Sequence, residues 1–186
     1  MTFASLTSRL WAHLRARWRS HLGHLVIVAV VLAGVQLWQT RHVPAGPAPD
    51  LALAVVNPEG QVLATTLSAW RAAYLGQPVV LHFWAEWCPI CRTEEHSVTR
   101  LGRDVPVLTV AMQSGEAAQV ARVMRLRGLP WVAAVDPKGE VARAYGIQAV
   151  PGFVVVDRDG QIRTPTVGYT TELGMRLRGW WVRLLG

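Results

Sequence analysis

Two cysteines, Cys88 and Cys91, are the only ones among 186 residues. The chain lacks a second Cys-x-x-Cys and a paired-histidine element, and its six histidines are scattered. A structural zinc site needs four Cys or His ligands. The scarcity of such ligands argues against a metal site, so we expect neither a metal nor a bound cofactor.

Acidic residues are absent from the first 42 residues, which contain five arginines. Five of the seven net positive charges therefore lie at the N-terminus, and the remainder of the chain is nearly neutral. Nucleic-acid binding needs a basic stripe on a folded domain. We expect no nucleic-acid partner, and we interpret the basic N-terminus as a targeting signal.

An apolar run over residues 22–37 follows most of these arginines and is bracketed by Trp18 and Trp38. A helix of about 20 residues spans the roughly 30 Å of bilayer hydrocarbon, and tryptophans favour its two interfaces. Basic flanks stay on the cytoplasmic side. The sequence predicts a cytoplasmic segment over 1–21, one transmembrane anchor over 22–38, and a periplasmic remainder at the inner membrane of a bacterium.

A cleavable signal peptide is the alternative to an anchor, because it has the same basic start and apolar core. An amphipathic transit peptide is a third interpretation. No clean Ala-x-Ala site follows the apolar core, and no lipobox cysteine is present. A proline-rich linker over 39–50 is predicted to act as a spacer between the bilayer and one domain over 51–186.

Within residues 51–186, strand-like runs alternate with helical periodicity, which predicts an α/β fold with a central sheet flanked by helices. Turn signals at 57–60 and 157–160 predict two hairpins. Apolar runs without clean alternation predict central strands covered on both faces, at 78–84, 105–111 and 153–156. Helices are expected at 67–74, 88–103, 115–127, 138–145 and 170–184.

The last predicted helix carries an apolar stripe, with arginines elsewhere around it. The stripe consists of Leu173, Leu177, Trp180, Trp181 and Leu184. An apolar stripe at helical spacing predicts packing against the sheet. The alternative is a helix on a membrane surface, because a basic helix with two tryptophans also suits a bilayer interface.

The two cysteines lie three positions apart, at a predicted junction between a buried strand and a helix. Unpaired backbone N–H groups at a helix start stabilise a thiolate over a thiol. The spacing therefore predicts a redox dithiol, in which an exposed Cys88 attacks and Cys91, one turn later, resolves. Pro89 restrains the loop between them. Two inert core cysteines are the alternative.

The nonapeptide Phe83-Trp84-Ala85-Glu86-Trp87-Cys88-Pro89-Ile90-Cys91 resembles the active-site signature of the thioredoxin superfamily. The chain is most similar to the membrane-anchored TlpA/ResA branch, including the copper-sensitivity-suppressor thioredoxins, because the lead-in over 51–66 and the Val150-Pro151 segment also fit. This resemblance covers about residues 51–186. It implies a thioredoxin-like fold with a mixed sheet, and a redox-active Cys88–Cys91 disulfide in place of a cofactor.

The resemblance also implies which residues bind the substrate. Pro151 corresponds to a cis-proline that faces the dithiol and, with Val150, pairs with the substrate backbone. Trp87 and Pro89 flank Cys88 on the same surface. The alternative for Pro151 is an ordinary trans proline that opens a strand.

Two polar residues are predicted to assist proton transfer. Glu94 matches the glutamate of the TlpA/ResA pattern, one turn after Cys91, and the alternative is a surface carboxylate near a helix start. His82 departs from the buried aspartate of thioredoxins. A buried imidazole there is expected to take the proton of the resolving thiol near neutral pH, and the alternative is a satisfied core histidine.

The function predicted from these features is that of a membrane-anchored periplasmic protein-disulfide reductase. A reductase in an oxidising compartment needs electrons from across the membrane, so we expect a transmembrane dithiol donor as partner. The Pro-Ile pair between the cysteines does not fix the direction, and an oxidase or isomerase is the alternative. Copper delivery, peroxidase activity and an adaptor role are further alternatives. The resemblance implies cytochrome c maturation or copper tolerance as the process served.

Overall fold

A computed structural model describes the backbone of residues 3–185 and the side chains of residues 18 and 20–184. The chain divides into two compact units, Met1–Trp38 and Gln39–Gly186. A long helix, α1 (Phe3–Thr40), provides the first unit. Its part Ser20–Thr40 has a mean hydropathy of 1.8 and is long and apolar enough to cross a membrane, a test that signal sequences also pass.

The second unit is built on one mixed sheet, which has seven strands within the described residues. The elements follow in the order β1 (Ala52–Val56), β2 (Val62–Thr66), α2 (Leu67–Arg71) with a 3-10 turn (Ala72–Tyr74), β3 (Val79–Trp84), α3 (Pro89–Leu101), β4 (Val107–Met112), α4 (Ala117–Arg127), β5 (Ala133–Asp136), α5 (Glu140–Ala144), β6 (Gly152–Val156), β7 (Ile162–Val167) and α6 (Glu172–Leu185).

The strands are arranged in the order β2-β1-β5-β4-β3-β6-β7. Strand β3 lies between a parallel β4 and an antiparallel β6, so that His82 is paired with Thr109 and with Phe153. The two predicted hairpins form the edges of the sheet, as β1-β2 and β6-β7. The predicted α/β fold with a mixed sheet and flanking helices is therefore confirmed.

Strand β5 is missing from the sequence prediction. It has only four residues, two of which are alanines, and alanine is depleted in strands. The strand forms because it lies between β4 and β1, where Ala133 and Ala134 are fully buried. Tertiary packing outweighs local propensity at this position.

Strand β3 carries the sheet's core on both of its faces, since all six of its residues are buried. Val80 and Trp84 belong to a hydrophobic cluster that also contains both cysteines. Leu81 and Phe83 belong to a second cluster, because successive side chains of a strand point to opposite faces. The strand thereby places His82 on the same face as the cysteine cluster.

The proline-rich segment that the sequence predicts to be a spacer lies against the domain. Val43 and Ala48 pack on the second hydrophobic cluster. The N–H of Ala48 donates to the carbonyl of Gly160 at 2.8 Å, and Asp50 accepts from the N–H of Ser68 at 2.8 Å. Burial and these backbone partners hold the segment on the domain surface, so residues 43–50 belong to the folded unit.

The prediction that the apolar stripe of α6 packs on the sheet is wrong. Among the described side chains of this helix, the buried apolar residues are Met175 and Val182, together with Gly179. These three lie at i, i+4 and i+7, which is itself a helical face. The predicted stripe is on the other side of α6, and each of its five residues is more than half exposed: Leu173, Leu177, Trp180, Trp181 and Leu184.

Candidate active site

Cys88 and Cys91 are joined by a disulfide at the start of α3. Cys88 is the N-cap residue in an extended conformation, and its Sγ atom accepts a hydrogen bond from the N–H of Cys91 at 3.1 Å. Pro89 occupies the first turn, where a helix tolerates a missing N–H. The start of α3 therefore directs the backbone N–H of Cys91 at the sulfur of Cys88.

The sulfur of Cys88 is less accessible than the sequence predicts. Cys88 is 3% exposed and Cys91 is 2% exposed. The Sγ atom of Cys88 lies 3.7 Å from the carbonyl oxygen of Val150, and the Val150–Pro151 peptide is cis. The loop that contains Pro151 thus packs against the dithiol and covers the Cys88 sulfur, so the prediction of an exposed Cys88 is wrong.

Exposed apolar side chains surround the buried sulfurs. Trp87 is 58% exposed and Ile90 is 52% exposed. The indole N–H of Trp87 donates to the carbonyl of Gln113 at 3.1 Å, which fixes one edge of the ring. An apolar rim around a reactive centre is suited to contact with an apolar segment of a protein client.

A network of side chains supports the loop that precedes Cys88, and sequence reasoning missed it. Arg127, at the end of α4, forms an ion pair with Glu95 at 2.9 Å and donates to the carbonyl of Glu86 at 2.9 Å. The N–H of Glu86 donates to the Oγ of Ser114, also at 2.9 Å. The partners of Arg127 are more than 30 positions away in the sequence, and no local sequence pattern predicts such a contact.

Glu94 is a buried carboxylate, so the surface alternative is wrong for this residue. It is 1% exposed, and it accepts a hydrogen bond from the N–H of Thr170 at 2.5 Å. Burial raises the pKa of Glu94 from 4.5 to about 7, although the hydrogen bond from Thr170 opposes the shift. Its position three residues after Cys91 puts both side chains on the same side of α3.

His82 is buried on the face of β3 that carries the cysteine cluster, and it is not a satisfied core histidine. Neither ring nitrogen has a hydrogen-bond partner among the described residues, and the ring meets Trp131 edge-on at 6.1 Å between centroids. Burial lowers the pKa of His82 from 6.5 to about 4. The imidazole is therefore neutral at physiological pH and holds a proton poorly.

Residues 44–164, more than half of the chain, match the model of the AhpC/TSA family. The chain belongs to the AhpC/TSA family. Among the curated relatives, the thiol:disulfide interchange protein DsbE of Allochromatium vinosum is 29% identical over 150 residues, which cover 77% of this chain and 79% of the relative. A DsbE homolog of Paracoccus denitrificans is 38% identical over 91 residues, 47% of this chain and half of the relative.

Solved structures place this AhpC/TSA member in the thioredoxin-like fold. A putative thioredoxin from Neisseria meningitidis superposes with a TM-score of 0.59 at 22% identity, over 77% of this chain and 93% of that one. A putative thiol:disulfide interchange protein DsbE from Chlorobium tepidum superposes with a TM-score of 0.60 at 24% identity, over 77% of this chain and 99% of that one. These comparisons confirm the resemblance drawn from residues 83–91.

Proposed function

We propose that this protein is a membrane-anchored thiol-disulfide oxidoreductase that reduces protein disulfides through Cys88 and Cys91. The observation that carries the proposal is the position of Cys88 as the N-cap of α3, with the N–H of Cys91 at 3.1 Å from its sulfur. Such an environment stabilises a thiolate. The names of the relatives, thiol:disulfide interchange proteins, support the same chemistry.

The first step starts from the reduced dithiol. The Cys88 thiolate attacks one sulfur of a client disulfide, so that a mixed disulfide forms while the client S–S bond breaks. The departing client thiolate takes a proton from solvent. The apolar rim of Trp87 and Ile90 receives the client, and the Val150-Pro151 loop, which lies against Cys88, moves aside or pairs with the client backbone.

The second step closes the internal disulfide. Cys91 loses its proton, and its thiolate attacks the Sγ of Cys88, which forms the Cys88–Cys91 bond, breaks the mixed disulfide and releases the second client sulfur as a thiolate. We propose Glu94 as the proton acceptor, because a general base works best when its pKa is near the operating pH and the pKa of Glu94 is about 7. His82, with a pKa of about 4, is the weaker base of the two buried groups.

Two electrons thus pass from the dithiol to the client in each cycle, while one client thiolate is protonated by solvent and the other receives the proton that Cys91 gave to Glu94. The oxidised protein then needs a two-electron donor, and we propose a transmembrane dithiol protein in that role. We further propose that Ser20–Thr40 anchors the chain in the inner membrane, with the N-terminus in the cytoplasm and the domain in the periplasm. The basic N-terminus supports this orientation.

The proposal is tested with the full chain in detergent, by trapping and by potentiometry. A Cys91→Ser variant should accumulate a mixed disulfide with a disulfide-containing client protein, whereas a matched Cys88→Ser variant should not. Reduction of insulin disulfides should require both cysteines. Disulfide reduction by Cys88→Ser at the wild-type rate would contradict the proposed chemistry.

The direction of the reaction is tested by equilibrating the dithiol with glutathione. A reductase should have a potential at or below about −200 mV, whereas a potential near the roughly −120 mV of a strong oxidant would favour the oxidase alternative. Clients captured by Cys91→Ser in cells would identify the process served. We propose apocytochromes and copper-tolerance proteins as the clients to look for.

A further inference from the structure

Helix α6 carries a continuous apolar face that no described residue covers. Its members are 53–66% exposed: Leu173, Leu177, Trp180, Trp181 and Leu184. At 3.6 residues per turn they fall within one sector of about 100°. We call this face the α6 stripe. It lies opposite the side of the helix on which Met175 and Val182 pack into the domain core.

Arginines border the α6 stripe along both edges. By the same helical geometry, Arg178 lies on one edge, and Arg176 and Arg183 lie on the other. Arg176 is neutralised by Asp104 and Glu172. Among the described side chains, neither Arg183 nor the half-buried Arg178 has an ion pair. Arg178 donates to the carbonyl of Gly174 at 3.0 Å. The edges therefore offer two cations that are not paired with carboxylates of the domain.

We propose that the α6 stripe binds the surface of an anionic phospholipid bilayer. Leucines and tryptophans on one face and arginines at its borders are the composition of a helix that lies in a membrane interface. Trp180 and Trp181 would sit at the headgroup level, as tryptophans do. The guanidinium groups of Arg178 and Arg183 would meet lipid phosphates, for which their charge is complementary.

The connection to α1 supports this occupant, and here the inference rests on the proposed membrane anchor. Only Arg41 and His42 separate the end of α1 at Thr40 from Val43, which packs on the core of the domain. A few residues reach about 3.5 Å each, so an anchored domain stays at the membrane surface. Because the anchor holds the domain near the bilayer, the effective concentration of lipid at the α6 stripe is high. A weak affinity of the stripe for the bilayer is then sufficient for binding.

The test uses the full chain in lipid nanodiscs, with both native cysteines replaced by serine. A spin label is attached at Leu177→Cys in the α6 stripe or, as a matched control, at Leu126→Cys on α4, where Leu126 is 74% exposed. Collision with oxygen reports lipid, and collision with a water-soluble nickel complex reports water. In anionic discs, the label at 177 should show a several-fold higher ratio of oxygen to nickel collisions than the label at 126.

The role of the arginines is tested by the lipid charge and by a second variant. The ratio at position 177 should fall in neutral discs, and Arg183→Glu should lower it in anionic discs. Equal ratios at 177 and 126 would overturn the proposal. Protection of the label at 177 from both reagents would also overturn it, because a protein partner or a second copy would then cover the stripe.

These measurements are independent of the dithiol chemistry, since the labelled variants contain neither Cys88 nor Cys91. A failure of insulin reduction would therefore leave the lipid contact intact. A failure of the anchor would be seen separately, as loss of the full chain from the nanodisc fraction.

Discussion

The N–H of Cys91 lies 3.1 Å from the Sγ atom of Cys88 and donates to it across the first turn of α3. The reverse contact is not made, because the N–H of Cys88 donates to the carbonyl of Ala85 at 3.2 Å and Cys91 lies inside the helix that Cys88 caps. The two sulfurs are thus chemically unequal although they are three residues apart. This asymmetry decides which sulfur attacks a client and which resolves the mixed disulfide.

We predict that Cys88 is alkylated faster than Cys91 in the reduced full chain at about pH 6. A stabilised thiolate reacts where an ordinary thiol, with a pKa of about 8.5, is protonated. Iodoacetamide labelling followed by peptide mass spectrometry should give at least about a tenfold preference for Cys88. Equal modification of both cysteines would contradict the proposed asymmetry.

The rate of disulfide reduction should depend on Glu94 in the neutral range. Glu94→Gln preserves an acceptor for the N–H of Thr170 but cannot take a proton from Cys91. We expect the variant to be about tenfold to a hundredfold slower at pH 8 and to lose an inflection near pH 7, where Glu94 titrates. The measurement is the rate of closure of the mixed disulfide from pH 5 to 9. Glu59→Gln, in an exposed turn, should retain the wild-type profile.

Glu94 should also make the protein less stable as the pH rises. Its pKa is about 7 in the folded state against an ordinary 4.5, so between these values the folded state holds a proton that the unfolded state has lost. Stability then decreases from about pH 4.5 to 7. Glu94→Gln should remove this decrease and gain on the order of 3 kcal/mol relative to wild type between pH 4.5 and 8, as measured by urea unfolding. A difference in unfolding free energy between Glu94→Gln and wild type that stays constant with pH would contradict the raised pKa.

His82 should act on stability in the opposite direction and leave catalysis unchanged. Its pKa of about 4 lies below the ordinary 6.5, so the unfolded state binds a proton first, and stability is lost as the pH falls from 6.5 towards 4. The gain in stability of His82→Leu over wild type should therefore be larger at pH 4.5 than at pH 7. His96→Leu, at an exposed site on α3, is the matched control. A slower reduction by His82→Leu near pH 7 would instead support a proton-transfer role.

Local signals in the sequence predict most of the fold. The turns at 57–60 and 157–160 and the helix start at Pro89 depend on neighbouring residues, and the structure places them where they are expected. Strand β5 and the packed segment 43–50 depend on distant partners. Their residues have weak local preferences, so the neighbouring strands and the β6-β7 turn determine their conformation.

The same distinction applies to the candidate site. The positions of Cys88 and Cys91 follow from a strand-to-helix junction that the sequence reveals, but the covering of the Cys88 sulfur depends on Val150, 62 residues later. Helix α6 has two apolar faces, one with Met175 and Val182 and the other formed by the α6 stripe. Sequence periodicity indicates both faces, and only the tertiary contacts of Met175 and Val182 show which of them packs inside.

Arg127 should control both stability and the reactivity of the dithiol, because it joins α4 to α3 and to the loop before Cys88. Its side chain is 18% exposed and that of Glu95 is 15% exposed. Arg127→Met leaves a largely buried Glu95 carboxylate and the Glu86 carbonyl without their donor, so we expect a loss of about 2 to 4 kcal/mol in unfolding free energy. Arg100→Met, which breaks the more exposed pair with Glu172, should cost much less, because an exposed ion pair contributes little to stability. Urea unfolding measures both losses, and equal losses would refute this role for Arg127. A looser loop should also make Cys88 more accessible, so oxidised Arg127→Met should be reduced faster by dithiothreitol than wild type.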